Sequence, residues 1–194
     1  MFFHQPFSGL IPGAKGAVLA VMLRTGKPMT GRHVSVMVGD RYSLWAVQMA
    51  LKELVSMGLV EAENYGRSTL HRLNDRHALI PHLQAIASPV EMLRRVVIKW
   101  SEGAEAVILF GSIARNEAQP DSDIDLAVVA SEGWPGVTAL QNAVWDELGN
   151  RCDVLLVTHE EFLRRPPTEP VVEAIIEDGI PLVGAMPTRR EVAQ

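Results

Sequence analysis

Apolar positions recur at helical spacing from Ala14 to Arg24, and Gly26 to Pro28 closes that run. Thr30 stands where an N-cap would open a short helix through Met37, and Gly39-Asp40 then interrupts the pattern. A third helix is predicted over 43–57. In it Leu44, Val47, Leu51, Leu54 and Val55 form a core-facing stripe, while Trp45, Gln48 and Lys52 share another face. After Gly58 the period changes. Val60–Glu63 and Thr69–Leu73 read as two strands of a hairpin around a turn at Asn64-Tyr65-Gly66-Arg67.

Residues 75–103 return to helical spacing. Ala78–Ile86 and Val90–Trp100 are punctuated by Pro81 and Pro89, with Ser88 placed to cap the second helix and Pro89 at its first turn. This stretch is predicted as a spacer and as cover for a following sheet. Ala104–Phe110 has the apolar run of a strand buried on both faces. Asp123–Val129 alternates acidic and apolar positions at its head, and a later apolar run, Arg151–Val157, carries Asp153 near its start.

Composition narrows the class. With 47% hydrophobic and 21% charged residues the chain reads as an ordinary soluble globular protein. The apolar run Ala17–Leu23 is far too short to span a bilayer, and Met1-Phe2-Phe3-His4 lacks the basic start and apolar stretch of a signal peptide. A single cysteine, Cys152, rules out an internal disulfide framework and a multi-cysteine zinc site. The expected location is the cytoplasm, with no membrane partner. The net charge of −5 is uneven: residues 1–80 carry nine Lys/Arg against five Asp/Glu, and residues 81–194 carry nine against eighteen. A basic first half is compatible with nucleic acid or with a solvated surface.

The candidate chemistry lies in the second half. Gly111-Ser112 directly follows an apolar strand, where a glycine lets backbone approach a ligand and amides with a hydroxyl can hold phosphate. Asp123 and Asp125 sit two residues apart, so on a strand they face one side. Two carboxylates so close repel unless a cation lies between them, and magnesium suits a site of one or two carboxylates plus substrate phosphates. Asp153 would stand beside that pair if its strand is a neighbour. There it could take a proton from an attacking hydroxyl or complete a second metal site. Asp121-Ser122-Asp123-Ile124-Asp125 also begins like a calcium loop, but Leu126 replaces the required glycine and Pro120 interrupts the entering helix.

Gly111-Ser112, Ala114-Arg115, Ser122-Asp123, Asp125-Leu126 and Asp153 resemble the signature of the DNA polymerase β-type nucleotidyltransferase superfamily, in particular its minimal nucleotidyltransferase branch. The resemblance covers residues 104–185, including the helix-then-strand ending Glu173–Gly184. It implies that Gly111, Ser112, Arg115 and Ser122 bind the nucleotide. It also implies that Asp123, Asp125 and Asp153 are the catalytic carboxylates and the ligands of a two-magnesium site, with a nucleoside triphosphate, ATP foremost, as substrate. One position departs from the pattern: Asn116 stands where the family usually has glycine, and asparagine tolerates positive φ better than most residues.

In the first half, three helices and a hairpin resemble a winged helix-turn-helix, and Ala50–Glu61 is similar to the end of the recognition helix and wing entry of MarR- and ArsR-like regulators. That resemblance implies DNA contact through Arg41, Tyr42, Ser43, Gln48 and Lys52 on the third helix and Arg67 at the wing tip. Such folds also serve as docking and dimerisation modules, and Glu61 and Glu63 at the wing base oppose phosphate contact.

The expected architecture is α+β in two domains. Residues 1–75 form a winged helix-turn-helix, 76–103 a helical connector, and 104–194 an α/β nucleotidyltransferase fold with a mixed sheet. The expected function is magnesium-dependent transfer of a nucleoside monophosphate to a hydroxyl, coupled to DNA binding. Minimal nucleotidyltransferases resemble antitoxins, so a separate HEPN-type toxin is an expected partner, and a homodimer the expected assembly. The alternative is a transcriptional regulator whose nucleotidyltransferase-like domain binds nucleotide or a partner without turnover.

Overall fold

The computed structural model describes residues 3, 5–7, 10–119 and 121–187, so Pro120, which spoke against the entering helix of a calcium loop, and most of Met1–His4 lie outside it. The chain divides into two units at Pro89/Val90. The stretch expected to act as a connector is shared between them. Its first helix joins the core of the first unit, and its second joins the core of the other.

The N-terminal unit runs α1 (Ala14–Thr25), β1 (Met29–Thr30), α2 (Gly31–Val38), α3 (Leu44–Ser56), β2 (Val60–Tyr65), β3 (Ser68–Leu73) and α4 (Ile80–Ile86). Capping follows the sequence: the Thr30 hydroxyl accepts from the His33 amide, and the Ser43 hydroxyl accepts from the Ala46 amide. Val18, Leu19, Met22, Val34, Val47, Leu51, Leu54 and Ile80 fill one core. Leu44, assigned above to the buried stripe, is instead exposed, because it opens α3 before the helix reaches the core. The hairpin is longer than predicted. Asn64 and Tyr65 remain in β2, so the turn shrinks to Gly66-Arg67, with Gly66 at φ 60°. Strand β1 pairs with β3 and makes the sheet three-stranded, in the order β1-β3-β2.

The C-terminal unit contains α5 (Pro89–Trp100), β4 (Ala104–Phe110), α6 (Gly111–Ala114), β5 (Ile124–Ala130), α7 (Val137–Leu148), β6 (Cys152–Val157), α8 (His159–Arg164), α9 (Pro170–Asp178) and β7 (Ile180–Val183). Its mixed sheet has the order β6-β5-β4-β7, with β5 and β6 parallel and the other pairs antiparallel. Alternate residues of the central strands serve opposite faces. Val107, Leu109, Leu126 and Val128 pack with α5 and α7, whereas Ile108, Ala127 and Val129 pack with Phe162, Val172 and Ile175 of α8 and α9. Burial on both faces explains the nearly continuous apolar runs. Among the described residues, no helix is long and apolar enough to cross a membrane.

Candidate active site

The sheet register brings the candidate carboxylates together. Phe110, the last residue of β4, lies opposite Asp125, and Asp125 is in turn the partner of Asp153 on β6. Neighbouring strands lie about 4.8 Å apart, so these two acids, far apart in sequence, stand side by side. Asp123 immediately precedes β5, whose first residue is Ile124 with its amide donating to the Arg151 carbonyl at 2.8 Å. The pair expected on one strand thus straddles its start.

Gly111 follows β4 with φ 73°, and a Cβ there would come within 2.1 Å of Asp125 Oδ2. Only a residue without a side chain allows the start of α6 to approach the carboxylate so closely. Burial pushes the Asp125 carboxyl above its ordinary value, and the charges of Asp153 and Asp123 add to the effect, opposed by Arg115. The same desolvation, with the three carboxylates, pushes the Cys152 thiol up to about 12, which makes it a small buried residue and no nucleophile.

The neighbouring loop has its own bracing. The Arg115 Nε donates to Glu117 Oε2 at 2.9 Å, so this guanidinium is paired beside the site. Asn116 has φ 59° and is the one non-glycine with positive φ among the described residues, which accounts for glycine as its usual counterpart. Ser122 accepts from the Gln119 amide at 2.8 Å and holds the turn that delivers Asp123. Ser112 lies in the first turn of α6, half-buried, with its carbonyl accepting from the Glu117 amide. Two supporting residues escaped the sequence reading. One is Glu117. The other is Gln141 on α7, whose amide donates to the Cys152 carbonyl at 2.9 Å and pins the peptide next to Asp153 on the edge strand. Glu117 is two residues from Arg115, so that pairing is local, whereas only the tertiary fold brings Gln141 to β6.

Asp123, Asp125 and Asp153 supply only hard oxygen donors, and their mutual repulsion favours a cation, so the donor set fits magnesium. Among the described residues no three such side chains already converge into a metal cage. Magnesium characteristically keeps several waters and takes further oxygens from substrate phosphates, so an open carboxylate row suits it better than a closed shell.

The six candidate DNA contacts separate into two sets. Gln48, Lys52 and Arg67 line one open groove between α3 and the hairpin, of about 670 Å³. Arg41 instead donates to Gln5, Ser43 caps α3, and Tyr42 packs against the core of the unit.

Residues 96–180 match the family described as Polymerase beta, Nucleotidyltransferase. No curated protein matches the chain. Two solved structures are similar over half of it. A toxin–antitoxin with AMP-PNP is 17% identical, with a TM-score of 0.38 over 50% of this chain and 73% of that one. A mutant of the toxin–antitoxin MntA-HpeT is 15% identical, with the same TM-score and coverage. Over residues 96–180 the C-terminal unit is therefore similar to the nucleotidyltransferase family.

Proposed function

We propose that the C-terminal unit transfers a nucleoside monophosphate from a nucleoside triphosphate, ATP foremost, to a hydroxyl acceptor, releasing pyrophosphate. The observation that carries this reading is the row formed by Gly111, Asp125 and Asp153 across three neighbouring elements. Bare backbone at Gly111 and the Ser112 hydroxyl are suited to hold the triphosphate next to the carboxylates. Asp123, Asp125 and Asp153 would hold magnesium, which supplies charge neutralisation on the phosphates and on the developing oxyanions. Asp153, exposed on the edge strand, is free to accept the proton of the acceptor hydroxyl. Arg115, kept near by Glu117, offers a cation to the triphosphate.

The experiment is incubation of the full chain with a labelled triphosphate and Mg²⁺, reading pyrophosphate release and label transfer. The double variant Asp123→Asn/Asp125→Asn is expected to lose both. Undiminished transfer in that variant would overturn the mechanism. Tight triphosphate binding without release in the unaltered chain would favour the sensor alternative.

The N-terminal unit is read as a winged helix-turn-helix that binds DNA. This rests on its element order, its β1-β3-β2 sheet and the three candidate cations and amides in one groove. An antitoxin role with a HEPN-type toxin as partner and modification target rests on the sequence resemblance to the minimal branch. Label transfer onto such a toxin, lost in the same double variant, is its test. A homodimer is read from the winged-helix resemblance and is tested by native mass measurement.

A further inference from the structure

The groove between α3 and the hairpin is cationic on several sides. Arg32 at the start of α2, Lys52 on α3 and Arg67 at the hairpin turn all line it, joined by Gln48, Ser68 and Thr69 as hydrogen-bonding groups. Its described lining contains no Asp or Glu. Nearby acids are turned elsewhere. Glu61 and Glu63 alternate onto the opposite side of β2 from Ala62, which lines the groove, and Glu61 pairs with Arg72 at 2.7 Å. Glu53 of α3 pairs with Lys15. His71, also in the lining, has its pKa lowered by burial and adds no charge at neutral pH.

Trp45 lies on the same face of α3 as Gln48 and Lys52, since positions i, i+3 and i+7 share a helix face. It is 70% exposed, an unusual place for so large an apolar ring. Cations that track a backbone, flanked by an open aromatic face, are the combination that binds unpaired strands. A duplex hides its base faces inside the stack and offers nothing for such rings to stack on. The side chains at the head of α3 that base reading in a major groove would call on are engaged otherwise, Arg41 with Gln5 and Ser43 with the helix end.

We propose that this groove binds single-stranded nucleic acid, with phosphates held by Arg32, Lys52 and Arg67 and a base stacked on Trp45. The inference rests on the reading of the N-terminal unit as a nucleic-acid binder and departs from it in the class of strand. Recognition by charge and stacking is tolerant of sequence.

The test uses the full chain and a fluorescein-labelled oligothymidylate of about 12 nucleotides, within the span such grooves cover. Anisotropy is read against a duplex of equal length over a salt series. The single strand is expected to bind about tenfold more tightly than the duplex. Trp45→Ala is expected to weaken it about tenfold, and Trp45→Phe to restore most of the loss. Arg32→Ala and Lys52→Ala should each flatten the log–log salt slope by about 0.7. Arg76→Ala, an exposed cation outside the groove lining, is the control, and melting curves check that each variant is folded. Preference for the duplex, or unchanged binding by Trp45→Ala and Arg32→Ala, would overturn the proposal and leave duplex binding by the unit standing. No binding of either probe at low salt would overturn both. The transfer assay on the Asp123/Asp125 variant reads neither.

Discussion

At the residue scale, Gly111 and Asp125 constrain each other. Adding a methyl at Gly111 both forces a side chain into the left-handed region and drives it into Asp125 Oδ2. The backbone strain alone costs about 1–2 kcal/mol. Gly111→Ala is therefore expected to lower the melting temperature and to abolish transfer, read by a thermal melt and by pyrophosphate release. Asp125 carries the opposite signature. Its carboxyl is raised above 3.8 by burial and by Asp153 and Asp123, so the folded state holds the proton more tightly than the unfolded chain does. Stability consequently falls as pH rises from the ordinary value through the raised one, and the full penalty is present above it. In metal-free buffer Asp125→Asn should melt higher than the unaltered chain at neutral pH. The difference should shrink on acidification below the carboxylate range. Equal melting at neutral pH would show that the repulsion is relaxed by solvent. A variant that gains stability while losing transfer is the behaviour of a carboxylate kept for chemistry.

At the element scale, the four-stranded sheet is held at its edges by side chains from outside it. Arg94 of α5 donates through Nη1 to the carbonyls of Pro181 and Leu182, both at 2.7 Å, and so fastens β7. Arg94→Met keeps the apolar stem but strips both bonds. It should cost on the order of 1.5–3 kcal/mol in urea unfolding. Amide exchange on β7 should rise before that on β4 and β5, which are buried on both faces. Elements with strong local signals were legible from the sequence. The β4 boundaries, the Thr30 cap and the helix-then-strand ending appear where the pattern put them. Others were not. Strand β1 has two residues, too few for any period, and exists only because β3 offers it an open edge. Helix α7 follows a polar, turn-rich stretch that does not announce it, and α8 is a six-residue helix separated from β6 by one residue, although the Thr158–Glu161 capping box that opens it is a local signal.

At the scale of the molecule, two units divide at Pro89/Val90, and the helices expected to bridge the halves are each absorbed into the core of one unit. Residues 90–194 expressed alone are therefore expected to unfold cooperatively. With a triphosphate and Mg²⁺ added, they should show a higher melting temperature, by the mass action of a ligand that binds only the folded form. Failure of that fragment to fold would mean the N-terminal unit is needed for its stability. The amino-acid order by itself determined which chemistry was on offer. The glycine after an apolar strand, the acids two apart and Asn116 at a glycine's place are all local, because strand period, turn geometry and φ preference act over a few residues. Only the tertiary structure decided which of these groups meet. The parallel pairing of β5 with β6 sets Asp153 against Asp125, and the position of Gly111 against that pair excludes any side chain. The grouping of Gln48, Lys52 and Arg67 away from Arg41, Tyr42 and Ser43 was likewise settled by packing. Strand register and groove lining join residues far apart in the chain, and local preferences do not reach that far.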